Sequence, residues 1–356
     1  MAGPRRDTRG IVDAAGLLAR VRFRRREPAP ALRPYVEHYW LIDWDLDEPY
    51  TSRVVPHPSV NVVFQSFERS AQPPVEPSFG RSVEPPVEPS FERSAQPPVE
   101  PSFGRSAQPP ADRATRPPAP GPAWSPAATE SAEIAEIAEI AGISNRLFTQ
   151  RLAGRGRVCG VQFRPGGFRP FSPARPVSYW KDRQAPLAEA MPVADRDITA
   201  VLGPEAEDER VAGLDAYLLG VLTTASCAAT VPGAPGTSGA PGAGMRQAAR
   251  AVRLVEMVRH DRSMRRVDRL AAAAGLSPRS LQRLFGGYVG VGPKWVILRY
   301  RVHEALERAE SAGPAGAVDW AALATELGYS DQAHLVRDFT ATVGVPPTAY
   351  ARAGAA

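Results

Sequence analysis

Apolar residues recur at helical spacing in two segments of the last hundred residues, and the two segments share one design. In the first, the i, i+3, i+4, i+7 spacing of a single helix face appears on both sides of Gly275. The apolar positions are Val267, Leu270, Ala271 and Ala274 before this glycine, and Leu281, Leu284, Phe285 and Tyr288 after it. In the second, Gly328 is preceded by Trp320, Leu323, Ala324 and Leu327 and followed by Leu335 and Phe339. Each segment therefore predicts two helices folded together across a turn.

Turn residues and a fixed repeat distance support this prediction. Ser277 suits the N-cap of the second helix, and Pro278 suits its first position, where no backbone N–H is needed. Ser330 is the expected cap in the second segment. Positions of the first segment return 54 residues later: Leu281, Phe285 and Pro293 recur as Leu335, Phe339 and Pro347. The chain therefore contains two like modules.

A helix that buries one face in such a module leaves its N-terminal turn free to enter the major groove of DNA. With Leu281 and Phe285 inward, the helical periodicity directs Arg279, Gln282 and Arg283 outward. The corresponding outward or leading positions of the second module are Gln332, Ala333, His334, Val336 and Arg337. Arg can bond guanine, and Gln adenine, through two hydrogen bonds each. On a single amphipathic helix, exposed Arg and Gln would be interpreted as ordinary solvated surface residues. The repeated caps and turns of two modules favour base reading instead.

The front of the chain alternates with the period of two that is typical of strands. Between residues 35 and 65, Tyr39, Leu41 and Asp43 are expected on one face of a strand, and Trp40, Ile42 and Trp44 on the other. Residues 47–49 and the prolines at 56 and 58 predict the turns. Further strands are predicted at 149–152 and 157–163 around the turn AGRG, and 133–141 is interpreted as a strand or a short helix. Residues 185–222 are predicted to be largely helical, with Leu214, Leu218 and Leu222 on one stripe.

Two segments lack the pattern of a packed domain. Residues 66–113 contain four near-copies of a 12-residue unit with paired prolines, which predicts a disordered segment with polyproline II character. The repeats are either a docking site for a proline-binding partner or a duplication tolerated in a surface loop, and we favour the second interpretation. Residues 225–245 are rich in Gly, Pro, Ala and Ser, which predicts a flexible linker and domains that move independently.

Positive charge is concentrated in the region of the two modules. The chain has a formal net charge of +5, and residues 246–356 hold 16 Lys and Arg against 10 Asp and Glu. Ten Arg fall within 246–290, whereas 311–352 contain two. Because neutralised phosphates supply most sequence-independent affinity, the first module is expected to anchor on the DNA backbone and the second to add specificity.

Other function classes find less support in the sequence. No apolar run is long enough for a membrane span, the N-terminus does not resemble a secretion signal, and Cys159 and Cys227 indicate reduced thiols, so we expect a cytoplasmic, nucleoid-associated protein. Only His38 and His57 are available for a metal in the front region, so neither a metal nor another cofactor is expected. No enzymatic signature is present.

His303 is expected to be structural or at the surface. Aromatic residues of the front region could line a small-molecule pocket or fill a core: Tyr39, Trp40, Trp44, Phe64, Phe163 and Phe168.

At the segments GLSPRSLQRLF, VGVGPKWV, RYRVHEAL and LGYSDQAHLVRDF, the chain closely resembles the AraC/XylS family of bacterial transcription regulators. The resemblance implies two helix-turn-helix units joined by a long helix, Lys294 to Glu310, with a buried stripe of Trp295, Leu298, Val302, Ala305 and Ala309. It also places seven side chains on the base-facing positions of the two recognition helices: Arg279, Gln282, Arg283, Gln332, Ala333, Val336 and Arg337. PYVEHYWLIDWDL, VVPHPSVNVVF and GVQFRPGGFRPF resemble the β-rich, cupin-like N-terminal domain of a subset of these regulators.

These expectations combine into an α+β multidomain protein. A β-rich, cupin-like sensing or dimerising domain (10–65 and 139–224) carries a disordered Pro-rich insertion (66–138), and a flexible linker (225–245) leads to an all-α tandem helix-turn-helix domain (246–352). The expected function is sequence-specific binding of double-stranded DNA in transcription regulation. RNA polymerase, a small-molecule effector and a second copy of the chain are further partners left open, and no membrane is expected. The alternatives are a cupin-like small-molecule-binding protein tethered to DNA and a Pro-rich interaction scaffold.

Overall fold

Six antiparallel strands form one sheet in the N-terminal part of the computed structural model, which describes residues 10–68, 134–228, 242–312 and 318–353. The sheet order is β1-β2-β5-β3-β4-β6, so β1 and β6 are its edges. The strand bounds are β1 Val21–Arg26, β2 Val36–Val54, β3 Asn61–Glu68, β4 Ile134–Ala141, β5 Phe148–Phe163 and β6 Gln184–Pro186. A short helix, α1 (Ala14–Leu18), precedes the first strand.

The predicted alternation along β2 is confirmed. Tyr39 and Leu41 are fully buried on the face covered by two helices, α2 (Asp195–Leu202) and α3 (Glu207–Ala228). Asp43 lies on the same face and accepts hydrogen bonds from Arg210 of α3, whose side chain is almost fully buried, at 2.9 and 3.2 Å. An ionised pair thus fixes α3 to the sheet, which sequence alone did not indicate.

Two predicted turns are wrong because β2 and β5 pair along nearly their whole length. Residues 47–49 lie within β2, where the pairing shifts register between Leu46 and Tyr50 instead of turning back. The AGRG segment lies inside β5, and Gly154 takes a left-handed conformation there, with a φ of +55°. A bulge and a glycine therefore absorb the irregularity, and the long two-stranded ribbon continues past both.

The boundaries of the insertion and of the linker also differ from the prediction. Residues 61–68 of β3 pair with 134–141 of β4, so both ends of the segment predicted at 66–138 are regular strand. The interpretation of 133–141 as a strand or a helix is thereby settled as a strand for 134–141. The helix α3 continues to Ala228 and the next helix begins at Ala243. Residues 69–133, which include all but the first three positions of the proline repeats, and residues 229–241 lie outside the described residues.

Most of the remaining described residues are helical, which confirms the predicted α+β architecture. The segment 185–222 begins with the end of β6 and a 3-10 turn, Leu187–Glu189, before α2 and α3, and Leu214 and Leu218 are fully buried on α3. Another 3-10 turn spans Val177–Trp180. The C-terminal helices are α4 Ala243–His260, α5 Val267–Ala273, α6 Pro278–Tyr288, α7 Pro293–Ala312, α8 Trp320–Leu327, α9 Gln332–Val343 and α10 Pro347–Ala353.

The sheet and the first helical module share one continuous core. Buried side chains of the sheet region, such as Phe64 and Trp180, belong to the same cluster as Leu281 and Phe285 of α6. Polar contacts reinforce this packing, since Glu37 of β2 accepts a hydrogen bond from Arg259 of α4 at 2.8 Å. The expectation of independently moving domains is therefore wrong for this structure, because apolar packing holds them together whatever the composition of the linker.

Candidate nucleic-acid interface

The helix α6 begins as the sequence predicted. The Ser277 hydroxyl caps it by accepting a hydrogen bond from the backbone N–H of Ser280 at 3.2 Å, and Pro278 occupies the first position. Leu281 and Phe285 are fully buried. Because these two residues face the core, the opposite face of α6 is free, and it carries three exposed side chains: Arg279, Gln282 and Arg283.

The helix α9 has the same construction but a different cap. Asp331, not the predicted Ser330, accepts the hydrogen bond from the backbone N–H of His334, at 2.7 Å. Ser330 lies one residue outside, with its hydroxyl 3.2 Å from the Asp331 carboxylate. The repeat distance of 54 residues relates Ser277 to Asp331, so the sequence contained the signal for the correct cap.

The N-terminal half of α9 is open in the same way as that of α6. Leu335 and Phe339 are fully buried. Gln332, Ala333 and Arg337 are exposed and Val336 is half-buried. The seven predicted side chains therefore lie on the solvent side of two separate helices. Six of them form three pairs at matching offsets from the caps: Arg279 with Ala333, Gln282 with Val336, and Arg283 with Arg337. Gln332 has no counterpart among the α6 residues, and the role of all seven as base contacts stays a prediction.

Left-handed glycines form the turn before each of these helices. Gly275 has a φ of +61° and Gly328 a φ of +78°. In both turns the next residue donates its N–H to a carbonyl five residues earlier, Leu276 to Ala271 and Tyr329 to Ala324, each at 2.9 Å. This is the Schellman arrangement that ends a helix at a glycine. The second turn has one more residue between glycine and cap than the first.

The joining helix α7 is longer than the predicted Lys294 to Glu310 and is buried on more than one side. Val302, Ala305 and Ala309 are buried as expected, but Trp295 and Leu298 are only half-buried. The first half of α7 instead buries other residues, because helices and sheet surround it there: Val296, Ile297, Arg299 and Tyr300. Burial lowers the pKa of the Arg299 guanidinium to about 10, and this group lies 4.6 Å from the ring of Trp295.

An ion network, which the sequence analysis missed, joins the two helical modules. Arg262, in the turn after α4, lies 2.8 Å from Glu326 of α8 and 2.5 Å from Glu304 of α7. Arg308 of α7 lies 2.8 Å from the same Glu326 oxygen. Arg265 donates to the backbone carbonyl of Glu326. These contacts link the first module to the second.

A cavity of about 710 Å³ lies between the second face of the sheet and the helical modules. Trp40 and Trp44 cover two glycines of β5 on this face, since a Cβ atom on Gly160 or Gly156 would lie about 2 Å from the indole ring opposite it. The helical side contributes Arg259, Tyr300, His303 and other side chains. The cavity thus has an aromatic floor and a polar, charged roof.

Four histidines border this cavity: His38, His57, His260 and His303. Burial and the positive charge of Arg25 lower the pKa of His38 to about 4. His57 lies 2.8 Å from the Ser59 hydroxyl, and its ring packs against His303 at 5.3 Å. His303 is buried and lies 3.2 Å from the carbonyl oxygen of Pro56. Of the two expectations for this residue, a structural role or a surface position, the structure therefore favours the structural role. Within the described ranges, no group of three His, Cys, Asp or Glu side chains is placed to hold a metal ion.

The comparisons with known proteins assign the C-terminal part of the chain to a domain family. A helix-turn-helix domain family matches residues 270–353, which include α5 to α10 almost completely. The C-terminal domain is an AraC-type helix-turn-helix domain. This domain supports a DNA-binding role in transcription regulation. In the N-terminal part, a domain family of unknown function (DUF6597) matches residues 24–83 and 104–186, so its match breaks within the proline repeats.

Solved structures of ToxT from Vibrio cholerae align with most of the chain at a low level of similarity. An apo form with one substitution is 9% identical at a TM-score of 0.35, over 92% of this chain and 99% of that chain. A form bound to an unsaturated fatty acid is 8% identical at a TM-score of 0.35, over 92% and 96%. Likeness at this level adds nothing to the assignment of the AraC-type domain. No curated protein sequence matches the chain. No helix in the described part is long and apolar enough to cross a membrane.

Proposed function

We propose that the chain recognises a specific DNA sequence by inserting α6 and α9 into successive segments of the major groove. The observation that carries this proposal is the matched construction of the two helices. Each has a side-chain cap, a buried Leu and Phe four residues apart, and solvent-accessible residues two, five and six positions after the cap. Helix-turn-helix proteins read bases from this part of the second helix.

The residues of the two helices predict an asymmetric binding site. Arg279, Gln282 and Arg283 of α6 can each donate hydrogen bonds to base edges. Only Gln332 and Arg337 of the α9 set can do so, whereas Ala333 and Val336 suit apolar contact with thymine methyl groups. We propose that one chain places the two helices on one face of the duplex, roughly one helical turn or about 34 Å apart.

Selection of duplexes from a random library, followed by footprinting, tests this proposal. Wild-type protein should select one asymmetric site. Arg283→Ala and Arg337→Ala should each weaken binding to that site by about 1–3 kcal/mol and leave random DNA little affected. Arg196→Ala is the matched control, because this guanidinium is 88% exposed on α2, outside the helical modules. Selection of no common sequence would refute base reading.

A second proposal follows from the cavity. We propose that a small molecule binds between the Trp40 and Trp44 floor and the helical roof. A bound molecule would contact the sheet and both helical modules at once, because Arg259 and Glu326 both line the cavity. Ligand binding would therefore stabilise one relative arrangement of α6 and α9. Thermal unfolding in the presence of a metabolite library tests this, with Gly160→Val as a variant whose side chain displaces the Trp40 ring.

We also propose a further protein contact of the DNA-bound chain. RNA polymerase and a second copy of the chain remain the two partners that we propose. Sedimentation of the protein with and without its selected duplex separates a monomer from a homodimer, and transcription in vitro from a promoter carrying the site tests productive contact with polymerase.

A further inference from the structure

A cationic surface of the sheet region lies beside the end of α6. Arg175 and Arg183 are exposed, and the guanidinium carbon of each lies 4.3 Å from the ring centroid of Tyr179. The Tyr179 ring packs edge-on against the buried Trp180, with centroids 4.9 Å apart. The Tyr179 ring, packed on buried Trp180, thus contacts two positively charged guanidinium groups at the surface. We refer to Arg175, Tyr179 and Arg183 as the Tyr179 cluster.

These charges are not neutralised within the described part of the chain. Neither Arg175 nor Arg183 is within ion-pair distance of a described carboxylate. The one acidic residue between them, Asp182, lies 3.7 Å from Lys181 and accepts a hydrogen bond from the backbone N–H of Asn145 at 3.1 Å. Two guanidinium groups on one ring repel each other, so an anion beside the cluster would be strongly favoured.

A third arginine points to the same kind of ligand. Arg169 is half-buried, its Nη1 atom is inaccessible to solvent, and that atom has no hydrogen-bond acceptor among the described residues. Burial lowers the pKa of this guanidinium. Tyr288, at the end of α6, acts in the opposite direction and favours the charged form of Arg169. A buried donor without an acceptor is costly, and an anion close to this guanidinium would offset part of that cost.

The Tyr179 cluster is held rigidly against α6. Gly290 follows this helix with a φ of +94°, and a Cβ atom there would lie 2.9 Å from a methyl carbon of Val177. On the other side, a Cβ atom on Gly142 would lie 1.6 Å from the carbonyl oxygen of Trp180, so backbone fills that space completely. The 3-10 turn Val177–Trp180 is therefore clamped between the sheet and the end of α6.

The length of α6 brings this surface within reach of DNA. An 11-residue helix is about 16 Å long, and the major groove is about 12 Å wide. When the first turn of α6 lies in the groove, its far end reaches the border of the groove, where the phosphates lie. A surface clamped to that end would meet the phosphate backbone and no base edges.

We propose that Arg169, Arg175 and Arg183 bind the phosphates that border the groove entered by α6, so that the sheet region is itself part of the DNA interface. This inference rests on the proposed insertion of α6. It differs from the expectation based on charge, which assigned backbone anchoring to the first helical module alone. Phosphate contacts of this kind position a protein on the duplex and carry no sequence information.

The test is the salt dependence of duplex binding by the full-length chain. Log K falls linearly with log salt, and each lost phosphate contact reduces the magnitude of this slope by about 0.9. Arg175→Gln combined with Arg183→Gln keeps side-chain length and removes both charges. We expect the slope to fall by about two and the affinity for selected and random duplexes to fall by the same factor. The matched control combines Arg24→Gln, on the opposite edge strand β1, with Arg196→Gln on α2, and its slope should stay at the wild-type value.

The outcomes separate this inference from the proposed base reading. A slope unchanged by the Arg175 and Arg183 substitutions overturns the inference, and so does an equal fall in the control, which would reflect total charge. If wild type selects no sequence, base reading fails, yet the same slopes on random duplex still decide whether the Tyr179 cluster contacts phosphate. Arg169→Gln should lower the slope by about one more in the same background, and unchanged thermal unfolding of each variant excludes misfolding as the cause.

Discussion

The first helix-turn-helix module packs its buried face against the sheet, whereas the second encloses a core that is mostly its own. Phe285 of α6 shares a cluster with residues of β2, β3 and β5. Phe339 of α9 lies in a separate cluster built from α7 to α10, to which the sheet region contributes Val55. The helix α7 serves both, since its first half enters the shared cluster and its second half the separate one. One sequence design is thus anchored to the molecule in two ways.

The modules also differ in charge and in the polar links that hold them. The first module contains most of the arginines of the C-terminal region. The second is less basic and is tied to the first by the network of Arg262, Glu304, Arg308 and Glu326. The comparison shows that the two copies of a tandem repeat need not be packed alike: the first module shares its core with the sheet, and the second is linked to the first by ion pairs.

Core truncations should separate the modules most clearly. Phe285→Ala and Phe339→Ala should each lower the free energy of unfolding by about 3–5 kcal/mol, because each removes a fully buried ring. We expect Phe285→Ala to destabilise the sheet together with the first module, and Phe339→Ala to destabilise the second module alone. Hydrogen exchange resolved by peptide would show this difference. Equal loss of protection across the whole chain in both variants would mean that the two clusters unfold as one.

Acidification should act on the side of the first module. The pKa of His38 is about 4 in the folded chain against 6.5 for the free side chain, because burial and Arg25 disfavour its charge. The unfolded state therefore takes up a proton first, and stability is lost as pH falls from about 6.5 to 4, by roughly 3 kcal/mol at most. Urea unfolding of wild type and His38→Gln over this range measures the difference. Parallel pH profiles for the two proteins would contradict it.

Cap substitutions should give smaller and more local effects. Ser277→Ala should cost about 1 kcal/mol, because one N–H at the start of α6 loses its acceptor. Asp331→Ala should loosen the first turn of α9 in the same way. The matched control is Ser330→Ala, which leaves the cap of α9 in place and should change its exchange rates little. If Ser330→Ala exposes the His334 amide as much as Asp331→Ala does, the assignment of the cap is wrong.

The weakest expected effect concerns the network between the modules. Arg262 and Glu326 are both more than a third exposed, so a double-mutant cycle with Arg262→Ala and Glu326→Ala should give a coupling below about 1 kcal/mol. Because the pair is exposed, the coupling should shrink further at high salt. A coupling that is large and independent of salt would show that the network does more than orient the modules.

Local patterns in the sequence predicted much of the fold and placed the candidate recognition residues. Helical periodicity located α6 and α9, and the alternation around Tyr39 located β2, because both depend on which side chains face a core. The errors arose where tertiary contacts, and not local sequence, determine how far a strand continues and how the domains pack. Pairing with β5 carries β2 through residues 47–49, and packing on the sheet turns a flexible linker composition into a fixed arrangement of domains.

Polar contacts between residues far apart along the chain were beyond sequence reasoning for a related reason. The pair of Asp43 and Arg210 and the network around Glu326 join residues far apart along the chain, and no spacing rule relates them. The cap at Asp331 was within reach, because the 54-residue repeat relates it to Ser277. Ser330 was preferred on residue type alone, which identifies a good cap but not the residue at which the helix begins.

The pairing of two tryptophans with two glycines on the cavity floor has a spectroscopic consequence. Trp40 and Trp44 lie against Gly160 and Gly156, with no side chain between indole and backbone. Any molecule that entered the cavity would replace solvent beside Trp40 and change its emission, and replacing Trp40 with Phe would remove that response. Intrinsic fluorescence therefore offers a direct optical readout of cavity occupancy, without a label and without knowledge of the DNA site.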